Sequence, residues 1–128
     1  LKLAEWAKFD TLAHLTYPLR YIVGKYGKTV DMSGFSEIID EILLTLIKNK
    51  TALEINTAGL RKPIGVTSPD ESIIRRYKEL GGEIITVGSD SHDATRIGQY
   101  CNKTIDALKD IFGYVCTFED RKPVFHKM

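Results

Sequence analysis

The chain has 128 residues, of which 43% are hydrophobic, and a formal net charge of +1 at pH 7. This length and apolar content predict one folded domain over residues 1–128 and exclude a disordered chain. Charges of both signs are interspersed without a basic stripe, which argues against a nucleic-acid partner. No apolar run approaches the ~20 residues of a membrane-spanning helix. Two cysteines are too few for a disulfide framework, so we expect reduced thiols in a cytoplasmic protein.

Strand-like and helical patterns alternate along the chain, which begins without methionine in a helix-like segment, so we expect an upstream portion to be absent. Short apolar runs predict strands, and apolar residues three or four positions apart predict helices. The predicted order is strand 11–15, helix 19–27, helix 36–48, strand 52–56, helix 69–80, strand 83–88, two helical pieces within 94–112, and strands 114–118 and 123–125. Ser68 and Glu71 have the spacing of a capping box around the helix that follows. The alternation predicts an α/β fold with mainly parallel strands.

The most informative segment is residues 84–93, where an apolar strand leads directly into Asp90 and His92. A carboxylate and an imidazole two residues apart at a strand end are ligands suited to zinc, manganese or iron. An alternative interpretation is equally open at this point. Ser91 or Asp93 has the side chain of a helix cap for the segment that begins at residue 94.

Polar residues also follow the two earlier strands. His14 lies late in the first predicted strand, and Glu54 and Asn56 lie at the end of the second. Each has a simpler explanation, because a histidine in an apolar run is commonly a hydrogen-bonded core residue and strand-end polar groups bind loop amides. In parallel α/β folds, however, sites form at the carboxyl ends of the strands. The coincidence of three strand ends favours a site.

Three segments together resemble a known family. They are Ala-His-Leu-Thr at 13–16, Leu-Glu-Ile-Asn-Thr-Ala-Gly-Leu-Arg at 53–61, and Gly-Ser-Asp-Ser-His at 88–92. In this order and spacing they look like the C-terminal half of a PHP (polymerase and histidinol phosphatase) domain. Within that superfamily the chain is most similar to the histidinol-phosphatase branch. The resemblance covers about residues 9–125.

The resemblance implies the C-terminal part of a distorted (β/α)7 barrel that holds two or three divalent ions (zinc, manganese or iron). It implies that His14, Asp90 and His92 are metal ligands, whereas Glu54 and Asn56 support the ligands without binding metal. Thr16 stands where many relatives carry an aspartate and has no implied ligand role. The remaining family ligands, an N-terminal His-x-His, further histidines and a bridging glutamate, are not in this chain. A full barrel takes roughly 200 residues or more, so 128 residues supply about half of one.

The implied activity is metal-dependent phosphomonoester hydrolysis: L-histidinol phosphate would be converted to L-histidinol and phosphate in histidine biosynthesis. Bound ions would lower the pKa of a water molecule and neutralise phosphoryl charge. Asp90 would serve both as a ligand and as a catalytic proton acceptor. Arginine binds phosphate oxygens in a two-pronged geometry, so we expect Arg61 and Arg96 to hold the substrate phosphate.

Two alternatives compete with this hypothesis. One is a PHP nuclease or proofreading module associated with a DNA polymerase, which would need a basic track for a strand. The other is a non-catalytic fragment that binds a metal weakly through His14, Asp90 and His92. We expect the chain by itself to be nearly inactive, because it lacks the carboxylate that bridges two ions. A homo-oligomer is left open.

Overall fold

The computed structural model describes residues 1–128. Three strands form a parallel sheet: β1 (Thr11–Leu12), β2 (Ala52–Asn56) and β3 (Ile85–Gly88). The five α-helices are α1 (Lys2–Trp6), α2 (Leu19–Ile22), α3 (Ser36–Asn49), α4 (Glu71–Glu79) and α5 (Cys101–Leu108). Two further strands, β4 (Tyr114–Glu119) and β5 (Lys122–Lys127), form an antiparallel hairpin. Short 3₁₀ turns lie at Ser33–Phe35, Ala58–Arg61 and Ala94–Arg96.

The sheet has the order β1-β2-β3, so β2 is central. Leu53 is aligned with Leu12 of β1 and with Ile85 of β3, and Asn56 is aligned with Gly88. Consequently, β2 and β3 end level with one another at the same edge of the sheet. This arrangement confirms the predicted α/β fold with parallel strands and places the segments after these two strands side by side.

One face of the sheet is covered by helices. Leu53, Ile55 and Ile85 are fully buried there because alternate residues of a strand point to the same side. They belong to a single apolar cluster that includes residues of α1, α3, α4 and α5. The other members of the cluster are Ala4, Leu12, Leu43, Leu46, Ile73, Ile74, Tyr77, Leu108 and Phe112. This cluster holds the sheet and the helices together.

The opposite face of the sheet is polar. Thr11 and Thr86 share a hydrogen bond between their hydroxyl oxygens at 2.9 Å, across the small side chain of Ala52 on the central strand. Glu54 is aligned with Thr86 and lies on this same face. The polar face therefore leads along β2 towards the strand ends where the sequence predicts a site.

The predicted capping box at Ser68 is wrong. The helix begins at Glu71, and Asp70 caps it by accepting hydrogen bonds at Oδ1 from the backbone N–H groups of Ser72 and Ile73, at 3.0 and 3.3 Å. The backbone of Ser68 instead exchanges two 3.0 Å hydrogen bonds with Asn56 at the end of β2. Because this pairing holds Ser68 in an extended segment, the helix starts later than the sequence pattern predicts.

The first strand is also shorter than predicted. Pairing with β2 ends at Leu12, and His14 has a left-handed backbone with φ of 67°. His14 therefore lies in the segment after the strand rather than within it, because a residue at this φ leaves the extended conformation. Both cysteines are free, as predicted. No helix has the length and apolar character needed to cross a bilayer.

Candidate active site

A cavity of about 490 Å³ opens beside the carboxyl ends of the three parallel strands. It is lined by five of the residues that the sequence singled out: His14, Arg61, Asp90, His92 and Arg96. Glu54 and Asn56, the other two, do not line it. The structure thus brings residues from three separate strand ends to one pocket, as the rule for parallel α/β folds predicts.

Two of these residues have strained backbones. His14 and Asp90 have φ values of 67° and 46°, in the left-handed region that few side-chain-bearing residues adopt. Strained residues of this kind cluster at ligand sites, where the surrounding structure offsets their cost of about 1–3 kcal/mol. Since both line the same cavity, the strain supports a binding role for this edge of the sheet.

The Asp90 carboxylate is available for a cation. Its side chain is 24% exposed, and no N–H or O–H group of the protein donates a hydrogen bond to it. Oδ2 lies 4.0 Å from Arg20 Nη1, and Oδ1 lies 3.8 Å from His92 Nδ1. A carboxylate that receives no hydrogen bond and has an imidazole nearby suits a metal ligand.

His92 is oriented by its own loop. Its Nδ1 lies 3.1 Å from the backbone oxygen of Asp90, and its side chain is 86% exposed. A carbonyl oxygen can only accept, so Nδ1 is the donor in this hydrogen bond, and in the neutral ring Nε2 carries the lone pair. Metal-binding histidines are held in this way, with one ring nitrogen donating to a carbonyl and the other bound to the ion.

The three predicted ligands do not form a complete metal site. No group of three or more His, Cys, Asp or Glu side chains in the chain is arranged to hold a metal ion. His14, Asp90 and His92 line one cavity and have suitable donor chemistry, but they are not converged on a common point. The structure therefore gives no support to metal binding through these three residues alone.

Glu54 is held just below the pocket. Asn56 Nδ2 donates to Glu54 Oε2 at 3.1 Å, and Asn56 Oδ1 accepts from the backbone N–H of Ala58 at 2.9 Å. A Cβ atom at Gly88 would overlap Glu54 Oε1, so glycine at this position leaves room for the carboxyl group. Burial raises the pKa of Glu54, and the hydrogen bond from Asn56 opposes this shift in part.

The two predicted phosphate-binding arginines have different environments. Arg61 Nη2 donates to the backbone oxygens of Ser89 and Asp90, at 2.8 and 3.3 Å. Arg96 is exposed at the end of a 3₁₀ turn that Asp93 caps, with Thr95 N donating to Asp93 Oδ1 at 2.8 Å. The capping alternative therefore holds for Asp93, and it leaves Asp90 and His92 free for another role.

The comparisons with known proteins agree with this geometry. No protein-family model matches the chain. A probable histidinol-phosphatase from Thermotoga maritima is 44% identical over 105 residues, which are 82% of this chain and 42% of the relative. The histidinol-phosphatase of Lactococcus lactis is 34% identical over 120 residues, 92% of this chain and 44% of that protein.

A solved structure matches as well. The crystal structure of histidinol phosphate phosphatase from Lactococcus lactis, complexed with zinc, L-histidinol and phosphate, superposes with a TM-score of 0.80 and 30% identity over 96% of this chain. The chain belongs to the histidinol-phosphatase branch of the PHP superfamily. It corresponds to the C-terminal part of these relatives and spans less than half of their length, 47% for the solved structure.

Sequence reasoning missed three residues that line the pocket: Tyr17, Arg20 and Lys62. The guanidinium of Arg20, on α2, lies 5.6 Å from the centre of the Tyr17 ring, and this ring lies 5.1 Å from that of His14. The signal for Arg20 was present in the sequence. Arg20 follows the first strand as Arg61 follows the second, so the rule that sites form at strand ends would have selected both arginines.

The raised pKa of Glu54 leads to a testable effect on stability. A raised pKa means that the folded state disfavours the charged form, so Glu54→Gln should increase the melting temperature of this chain at pH 7. The gain in melting temperature of Glu54→Gln over the wild type should shrink as the pH falls through the folded pKa of Glu54. It should be smallest below the ordinary pKa of a glutamate. Thermal unfolding between pH 4 and pH 8 measures this, with Glu5→Gln on the exposed side of α1 as the control. A stability difference that is independent of pH would contradict the assignment.

Proposed function

We propose that this chain forms part of the active site of a metal-dependent phosphomonoester hydrolase that converts L-histidinol phosphate to L-histidinol and phosphate. The observation that carries the proposal is the match to a phosphatase structure that holds zinc, L-histidinol and phosphate, over nearly the whole of this chain. The strand-end cavity and its residues support the proposal independently. A cytoplasmic location stays a prediction.

His14, Asp90 and His92 are the residues that would hold divalent ions. A bound ion lowers the pKa of a water molecule and neutralises charge on the phosphoryl oxygens. The carboxylate of Asp90 receives no hydrogen bond from the protein, and we infer that it would accept a proton from the attacking water. The Nδ1–H group of His92 donates to the backbone and leaves Nε2 for ligation.

The phosphate group of the substrate needs cationic partners, and the pocket supplies them. Arg20, Lys62 and Arg96 line it beside Arg61, whose Nη2 is bound to loop carbonyls, whereas its acidic lining residues are Asp90 and Asp93. This excess of positive charge suits a phosphate dianion. Arg96 is exposed, and only its backbone forms hydrogen bonds within the protein, so its guanidinium is available to the substrate.

This chain matches less than half of the length of its relatives, and its three proposed ligands are not converged. We therefore propose that the remaining ligands of a two- or three-ion centre come from residues outside these 128. The (β/α)7 barrel would be completed by the same residues. Zinc, manganese and iron all suit the imidazole and carboxylate donors present.

Phosphate release from L-histidinol phosphate tests this proposal. With added zinc, we expect steady turnover by the full-length protein and a rate near background for the 128-residue chain. Circular dichroism should show that the chain is folded, so that its inactivity reflects missing ligands. Robust turnover by the chain alone would contradict the proposed incompleteness, and no turnover by the full-length protein would contradict the proposed activity.

A further inference from the structure

One guanidinium holds the loop that carries two of the proposed ligands. Arg61 Nη2 donates to the backbone oxygens of both Ser89 and Asp90, at 2.8 and 3.3 Å. No backbone N–H group donates to either oxygen. His92 Nδ1 also lies 3.1 Å from the oxygen of Asp90. The Asp90 carbonyl is therefore a shared acceptor that links Arg61 to His92.

This loop requires external support. Asp90 has a φ of 46°, which costs an aspartate free energy relative to extended or helical backbone. A strained residue keeps such a conformation only when its surroundings hold it. The two hydrogen bonds from Arg61 fix the peptide groups on either side of the Asp90 Cα, so they fix its φ and ψ.

Arg61 is itself fixed to the sheet. It is the last residue of the Ala58–Arg61 turn, and this turn is anchored by the 2.9 Å hydrogen bond from Ala58 N to Asn56 Oδ1. Thr57 N also donates to the oxygen of Gly88 at 2.8 Å, which ties the tip of β2 to the tip of β3. A continuous series of contacts therefore runs from Asn56 through Arg61 to Asp90.

The other terminal nitrogen of Arg61 is not placed for a substrate. Nη1 is buried and has no hydrogen-bond partner. A buried nitrogen cannot meet a phosphate that enters the cavity. Arg61 thus differs from Arg96, which lines the same cavity, is exposed and makes no hydrogen bond to the Ser89 and Asp90 carbonyls.

We propose that Arg61 is a positioning residue that holds Asp90, and through the Asp90 carbonyl His92, at the edge of the cavity where they would contribute to a metal site. This inference rests on the proposed metal-dependent function. It assigns Arg61 a role different from the phosphate contact that its residue type suggests. Nη2 carries two N–H groups, one for each of the two neighbouring carbonyl oxygens.

The experiment compares Arg61→Met and Arg61→Lys with Arg96→Lys in the full-length protein. Zinc affinity is measured by competition with a chelator, and kcat and KM are measured with L-histidinol phosphate. We expect Arg61→Met to weaken zinc binding by about 10- to 100-fold, as for other groups that orient metal ligands. Its kcat should fall more than its KM rises, and Arg61→Lys should restore part of the loss. Arg96→Lys should change KM and leave zinc affinity unaltered.

A second measurement uses the 128-residue chain without metal. Amide chemical shifts of residues 88–92 should change in Arg61→Met and Arg61→Lys and stay unchanged in Arg96→Lys. Wild-type zinc affinity with a raised KM alone, or unchanged shifts at residues 88–92, would overturn the proposal. If Arg61→Met does not fold, Arg61→Lys decides by the same criteria. If the amide shifts of residues 88–92 change in the Arg61 variants but the wild-type protein has no zinc-dependent turnover, the proposed function is rejected. The effect of Arg61 on the loop then stands.

Discussion

Asp90→Asn and His92→Ala should each abolish zinc-dependent phosphate release by the full-length protein. We expect kcat/KM to fall by more than about 100-fold, beyond the 10- to 100-fold typical of residues that only orient a ligand. Asparagine keeps the shape of Asp90 but removes the charge that binds a cation and accepts a proton. Alanine at position 92 removes the ring nitrogen that the Asp90 carbonyl leaves free. Initial rates and bound zinc per protein measure both effects.

Two matched controls exist within this chain. Asp106 lies on α5 in an ion pair with Lys109 at 2.7 Å, and His126 lies on β5 against Thr117 at 2.7 Å. Neither lines the strand-end cavity. Asp106→Asn and His126→Ala should therefore retain wild-type rates and zinc content. A wild-type rate in Asp90→Asn or in His92→Ala would contradict the proposed role of that residue as a metal ligand.

Gly88→Ala should damage the site although it adds a single carbon atom. The new Cβ would overlap Glu54 Oε1, and the carboxyl group has little freedom because Asn56 Nδ2 holds its other oxygen. The tip of β3, two residues before Asp90, must then shift. Displacements of about 1 Å at a catalytic centre can cost about 100-fold in rate, so we expect kcat to fall on this order.

The control for this variant is Gly113→Ala, because a Cβ at Gly113 meets no atom within 4 Å. Its rate and melting temperature should match those of the wild type. Removing the clashing carboxyl should also restore part of the packing, so Gly88→Ala combined with Glu54→Ala should be more stable than Gly88→Ala alone. If Gly88→Ala has normal kcat, Glu54 does not constrain the tip of β3.

The central strands and the location of the site could be predicted from local pattern. The runs at 52–56 and 83–88 are apolar and end in polar residues, and buried parallel strands have this pattern. Parallel strands align their carboxyl ends, so residues far apart in the chain were expected at one edge. The cavity lined by His14, Asp90 and His92 follows from this topology alone.

Details that depend on tertiary contacts could not be predicted. Ser68 has the residue type of a helix cap, but its backbone pairs with Asn56, and the cap falls to Asp70. The left-handed conformation of His14 depends on where β1 stops pairing with β2. The backbone contacts of Arg61 required knowledge of the loop after β3, which no local pattern contains.

For the proposed metal ligands, the sequence predicts residue types but not their arrangement in space. Residue types at 14, 90 and 92 point to metal chemistry, but the spacing of their side chains depends on neighbours across the pocket. These three are not converged, and this chain matches less than half of the length of its relatives. The sequence pattern therefore identifies candidate ligands without defining the number of ions that they hold.

The most direct measurement is phosphate release from L-histidinol phosphate by the full-length protein before chelation, after removal of bound metal, and after zinc is added back. The account predicts that the rate falls to background in the metal-free protein, returns with zinc, and does not return in Asp90→Asn or His92→Ala. An undiminished rate in the metal-free protein would contradict the claim that these strand ends form a metal-dependent phosphatase site.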